Sequence, residues 1–80
     1  MPYIKMPRRV DIDEGDAPEH PGELNYTLTM VVKDYLNNRG LNYSTINDIL
    51  GALESAKLEF YRRVAVPYED GKIAENGDVY

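Results

Sequence analysis

The residues best equipped for chemistry lie late in the chain. Tyr61-Arg62-Arg63 stand together, Tyr68 follows, and Lys57 lies one helical turn before them. Arginine forks match phosphate or carboxylate oxygens with paired hydrogen bonds, and tyrosine rings stack on flat rings. With Tyr26 from an earlier segment, they make a candidate ligand-binding set: Tyr26, Lys57, Tyr61, Arg62, Arg63 and Tyr68. The ligand such a set suits is a nucleotide-derived anion. A plainer reading stands beside it. The arginines would complement the C-terminal end of a helix dipole, or pair with Glu59, Glu69 and Asp70. Lys57 would lay its stem on apolar neighbours and keep its ammonium in water. A buried Lys57 would instead need an anionic partner or lose its charge.

Catalytic chemistry has little to work with. His20 is the single histidine and there is no cysteine. Neither a Cys–His pair nor a Ser–His–Asp triad can then be built within one chain. No glycine-rich phosphate loop is present. The run Asp11–Asp16 resembles a calcium loop in its acidic spacing, but its glycine comes one place early. Its twelfth position is Gly22, which has no side chain to ligate a cation. Paired-carboxylate chemistry has no dry pocket marked for it. The expectation is a binding protein, not an enzyme, with no cofactor and no metal.

The elements that must position these residues are helical. Residues 1–21 open basic (Lys5, Arg8, Arg9), turn acidic (Asp11, Asp13, Glu14, Asp16, Glu19) and hold four of the five prolines. They read as an irregular arm anchored by Tyr3, Ile4, Val10 and Ile12. Over 22–38, Leu24, Leu28, Val31 and Tyr35 recur at helical spacing, with Val32 and Leu36 widening the stripe. Pro21 and Glu23 suit the start of this helix, and Gly40 suits a left-handed C-terminal cap. Ser44 is a good N-cap for a second helix over 45–66, whose stripe is Ile46, Ile49, Leu50, Leu53, Phe60 and Val64. Gly51 inside it costs about 1 kcal/mol relative to alanine, which a close helix–helix approach would explain. Pro67 predicts the end of this helix. Residues 67–80 then form a polar tail with a tight turn at Asn76-Gly77. The predicted fold is mainly α: an antiparallel helical hairpin with an arm and a tail, in one small domain.

Size points to assembly. A core built from 80 residues supplies only about 3–5 kcal/mol without a staple. With no cysteine for disulfides, oligomerisation is the staple left. Both helices also carry apolar residues off their main stripes: Tyr26 and Met30 on the first, Leu58 and Ala65 on the second. A homo-oligomer is therefore expected. The formal net charge of −5 argues against general nucleic-acid binding, which draws its affinity from phosphate neutralisation. No apolar run is long enough to span a membrane and no signal peptide is visible, so a cytoplasmic protein is expected. Seven tyrosines against one phenylalanine and no tryptophan suit wet interfaces.

Several runs resemble a known family. They are Pro2-Tyr3-Ile4, Pro21-Gly22-Glu23-Leu24-Asn25-Tyr26, Ile46-Asn47-Asp48, Gly51-Ala52-Leu53-Glu54, Glu59-Phe60-Tyr61-Arg62-Arg63-Val64, Pro67-Tyr68-Glu69-Asp70 and Glu75-Asn76-Gly77-Asp78-Val79-Tyr80. The likeness is to a widespread family of small proteins of unknown function, found in phages and in many bacteria and archaea. It covers nearly the whole chain apart from the acidic part of the arm, and the stretch from Glu59 to Tyr80 is the specific part. The resemblance implies a phage or mobile-element setting, in the host cytoplasm, and assigns no activity and no site residues.

Three functions fit. The first is a small-ligand binder that sequesters a nucleotide-derived immune signal, an anti-defence sponge with pockets at subunit boundaries. The second is an adaptor or inhibitor that binds a protein through apolar and tyrosine-rich surfaces. The third is a purely structural small oligomer.

Overall fold

The computed structural model describes residues 4–80, so the expected anchor Tyr3 and the motif residue Pro2 lie outside the described residues. The described chain is mainly helical, with no strand among the described residues. It divides into two compact units, Met1–Thr45 and Ile46–Tyr80.

The first unit holds α1 (Met6–Asp13) and α2 (Pro21–Arg39). The arm expected to be irregular through residue 21 thus contains a helix. Pro7 does not prevent it, because a proline in the first turn lacks only an N–H that has no helical partner anyway. The Lys5 carbonyl accepts from the amides of both Arg8 and Arg9 at 3.1 Å. At the other end the Gly15 amide bonds to the Ile12 carbonyl and the Asp16 amide to the Asp11 carbonyl. This paired closure is a Schellman motif, and it requires the positive φ of 114° that Gly15 adopts. Of the expected anchors, Ile4 and Ile12 are buried, while Val10 is exposed. Val10 is therefore not an anchor; the docked face of α1 is the one carrying Ile12.

Helix α2 matches its expected bounds to within a residue, with His20 before it and Pro21 in its first turn. Gly40 ends it, its amide bonding to the Leu36 carbonyl at 2.8 Å. Its φ is positive at 85°, but ψ of 159° makes it extended rather than left-handed helical as expected.

Helix α3 (Tyr43–Phe60) begins earlier than residue 45. Its cap is Asn42, not Ser44: the Asn42 side-chain oxygen accepts from the Thr45 amide at 2.9 Å, satisfying one of the first-turn donors that lack helical partners. The expected stop at Val66 is also overturned. A π-helical turn, Tyr61–Ala65, leads directly into α4 (Val66–Asn76), so most of the expected tail is helix. The reason lies in Pro67. In a regular α-helix its ring would clash with the Arg63 carbonyl four residues back. Here the Val66 amide reaches five residues back, to the Tyr61 carbonyl. The widened turn admits the ring and the helix continues. Asn76-Gly77 is the C-terminal end of α4 rather than a free tight turn, the Gly77 amide bonding to the Ile73 carbonyl at 2.8 Å. Among the described residues of its own unit, no atom beyond the adjacent helix backbone lies within 4 Å of where a Gly51 Cβ would stand, so no close approach there accounts for it.

Candidate ligand-binding segment

Five of the six expected site residues fall in the second unit, on the stretch from the last turns of α3 into α4. Lys57 lies on α3 with its ammonium 3.6 Å from Glu54. Its side chain is 74% exposed, so within this unit its ammonium stands in water and is not a buried charge. Arg62 and Arg63 converge on one carboxylate. Arg62 Nη2 donates to Glu59 Oε1 at 3.0 Å and Arg63 Nε donates to Oε2 at 2.7 Å. These steps of three and four residues are the ones at which helical side chains meet. Both pairs are solvent-exposed, and such pairs contribute little to stability. Their effect is to hold two guanidinium groups side by side. Each keeps further N–H donors, since a guanidinium has five.

Tyr61 and Tyr68 are both exposed and flank these arginines along the helix. Lys72 lies over the Tyr68 ring at 5.5 Å from its centre, a cation–π distance. This lysine was not among the expected site residues. Its place one turn after Tyr68 was the signal available. The sixth residue, Tyr26, belongs to the first unit. Its hydroxyl donates to both oxygens of Asp13, at 2.8 and 2.9 Å. Burial, then the Asp13 carboxylate, raises the phenol above its ordinary value.

The cluster that sequence reasoning missed is in the first unit. Glu23 is only 5% exposed. One of its oxygens accepts from Arg8 Nη2 at 2.9 Å and from the Glu19 amide at 3.0 Å. The other lies 2.9 Å from His20 Nε2. Arg8 donates further to Asp16 at 2.9 Å and to the Ala17 carbonyl at 3.0 Å. The Arg8 guanidinium holds the Glu23 carboxyl down at about 2, against the penalty of burial. Arg8 is raised in turn, chiefly by its bond to Glu23. A glutamate three places after the N-cap, reaching back to a preceding amide, is close to a capping box, and that spacing was the readable signal. Its protein-facing bonds make the cluster a clasp between α1, the loop after it and α2.

No group of histidine, cysteine and acidic side chains suited to a metal occurs among the described residues. No helix among them is long and apolar enough to cross a membrane.

The chain belongs to a family defined by a domain of unknown function, DUF6899, whose model matches residues 1–79. No curated protein and no solved structure gives a significant match.

Proposed function

We propose that the protein is a non-enzymatic binding module that works as a homo-oligomer and takes a nucleotide-derived anion on the segment from Lys57 to Tyr68. The observation that carries this reading is the exposed arginine pair on Glu59, bracketed by Tyr61 and Tyr68 at a π turn. π turns inside α-helices occur frequently at functional sites. The arrangement has the parts for an anion joined to a flat ring: two guanidinium groups for oxygens and two phenol rings for stacking. Nothing in it activates a nucleophile, so the role is sequestration without cleavage. In a phage setting, within the host cytoplasm, the ligand would be an immune signal. Assembly is supported by the exposed apolar residues of α3, which a single short chain leaves in contact with water.

Native mass spectrometry of the protein, alone and with cyclic di- and trinucleotides and ADP-ribose isomers, tests this directly. Discrete ligand masses on an oligomer, lost in Arg62→Ala and Arg63→Ala, are the expected result. Ligand uptake that survives both substitutions would remove the site assignment.

A second reading draws on those same exposed apolar residues, Leu50, Phe60, Tyr61 and Val64 among them. It is an adaptor that covers this face with another protein. It forecasts no uptake of any nucleotide in the panel and a stoichiometric complex with a protein partner.

A further inference from the structure

Six positions of the unit Ile46–Tyr80 recur at alternating steps of four and three: Ile46, Leu50, Leu53, Lys57, Phe60 and Val64. That alternation is the seam spacing of helices that pair along their length. The five apolar members are 37–64% exposed, and Lys57 stands among them beside Glu54. The spacing has a second property. Ile46 and Val64, Leu50 and Phe60, and Leu53 and Lys57 lie equal distances on either side of position 55. A seam with this symmetry is self-complementary when two identical helices run in opposite directions.

We propose that two copies of this chain pair antiparallel along this stripe, about a two-fold axis level with Ser55. Leu50 then meets Phe60 of the second copy and Leu53 meets Lys57, all within α3, while Ile46 lies level with the π turn that carries Val64. The inference rests on the self-assembly part of the proposed function and specifies its geometry. Lys57 selects the direction. A parallel pair would set the two Lys57 ammonium groups against each other in the seam. The antiparallel pair lays each Lys57 stem on Leu53 of the second copy and brings its charge near Glu54 of that copy. A lone lysine at a seam position weakens pairing while fixing its register. The stripe's extent selects the occupant. In α2 the same alternation runs over four positions, Leu24, Leu28, Val31 and Tyr35, whereas a second copy supplies all six.

The chain has no cysteine, so cross-linking can be read without background. Full-length Leu50→Cys and Phe60→Cys are oxidised separately and as an equimolar mixture. The expected result is a disulfide dimer joining one variant to the other, with loss of monomer in the mixture and little loss in either alone. In the antiparallel pair the two copies of position 50 are ten residues apart, about 15 Å, beyond the roughly 7 Å a disulfide can bridge. Ready cross-linking of each variant with itself would mean a parallel pair and overturn the inference. Absence of any cross-link would overturn it too. The native mass of the unsubstituted chain then separates the two ideas: an oligomer leaves self-assembly standing, and a monomer removes both. Ala56→Cys, which lies beside the axis and disturbs no seam residue, is expected to cross-link with itself and covers the case in which the other variants fail to fold.

Discussion

Arg8 and Glu23, fifteen residues apart in sequence, are joined by a 2.9 Å charge-assisted hydrogen bond in which the carboxylate is almost wholly buried. Arg8 lies on α1 and Glu23 in the first turn of α2, so this bond ties the two helices together at one end, as the Tyr26 hydroxyl on Asp13 does further along. Removing either partner leaves the other polar group without its main bond, which costs more than the bond itself contributed. Arg8→Ala is expected to release α1 from α2. Hydrogen exchange would show the amides of residues 8–13 losing most of their protection while those in the middle of α2 keep theirs.

The same pair sets an acid dependence. The Glu23 carboxyl is lowered from 4.5 to about 2 in the folded chain. A group lowered on folding contributes stability that is complete above its unfolded value and is lost as pH falls through its folded value. Docking of α1 is therefore expected to hold above about pH 4.5 and to fail progressively between there and about pH 2. Nuclear magnetic resonance of α1 through an acid titration reads this, and Glu23→Gln should remove the transition because it has no proton to gain.

Gly51 occupies the interior of α3 with open space where a Cβ would stand. Gly51→Ala is expected to stabilise the helix by about 1 kcal/mol, read as a higher midpoint in thermal unfolding. Destabilisation would mean that a partner fills that space.

Asn42 caps α3 through the Thr45 amide. Asn42→Ala is expected to cost about 1 kcal/mol, and Ser44→Ala much less. Denaturant unfolding of the two variants side by side distinguishes the cap that forms from the one the sequence suggested.

Pro67 forces the π turn, so Pro67→Ala is expected to let residues 61–65 return to α-helical bonding, with a gain of up to about 3 kcal/mol in helix stability. Chemical shifts of Tyr61 to Val66 would report the change. An unchanged pattern would show that the π turn has another cause.

The helices were legible where spacing is strong. Leu24, Leu28, Val31 and Tyr35 marked α2, and the stripe from Ile46 to Phe60 marked α3, because a period near 3.6 is written directly in the residue types. The cap of α3 was misplaced at Ser44, because Asn42, a residue equally able to cap, lies two positions earlier. α1 was hidden by its prolines and by charges that read as a solvated arm. Its docking depends on Arg8 meeting Glu23, a pairing across fifteen positions that no local pattern encodes. Helix α4 was missed because Pro67 is a true helix breaker in α geometry, and only the wider turn cancels its effect. Of the candidate site, the closeness of Arg62 and Arg63 followed from adjacency, but their shared hold on Glu59 and the position of Lys72 over Tyr68 required side-chain placement.

The π turn has a consequence for how the second unit can change. A turn that spreads one circuit over more residues alters the angular phase of everything after it, by roughly a quarter of a rotation over five residues relative to a helix of 3.6 residues per turn. Residues of α4 are thereby indexed separately from those of α3. Removing one residue between Tyr61 and Ala65 is then a way to cancel the wide turn while leaving the phase beyond it nearly intact, a deletion that an ordinary helix could not absorb. The segment is a compensator built into the screw of the helix.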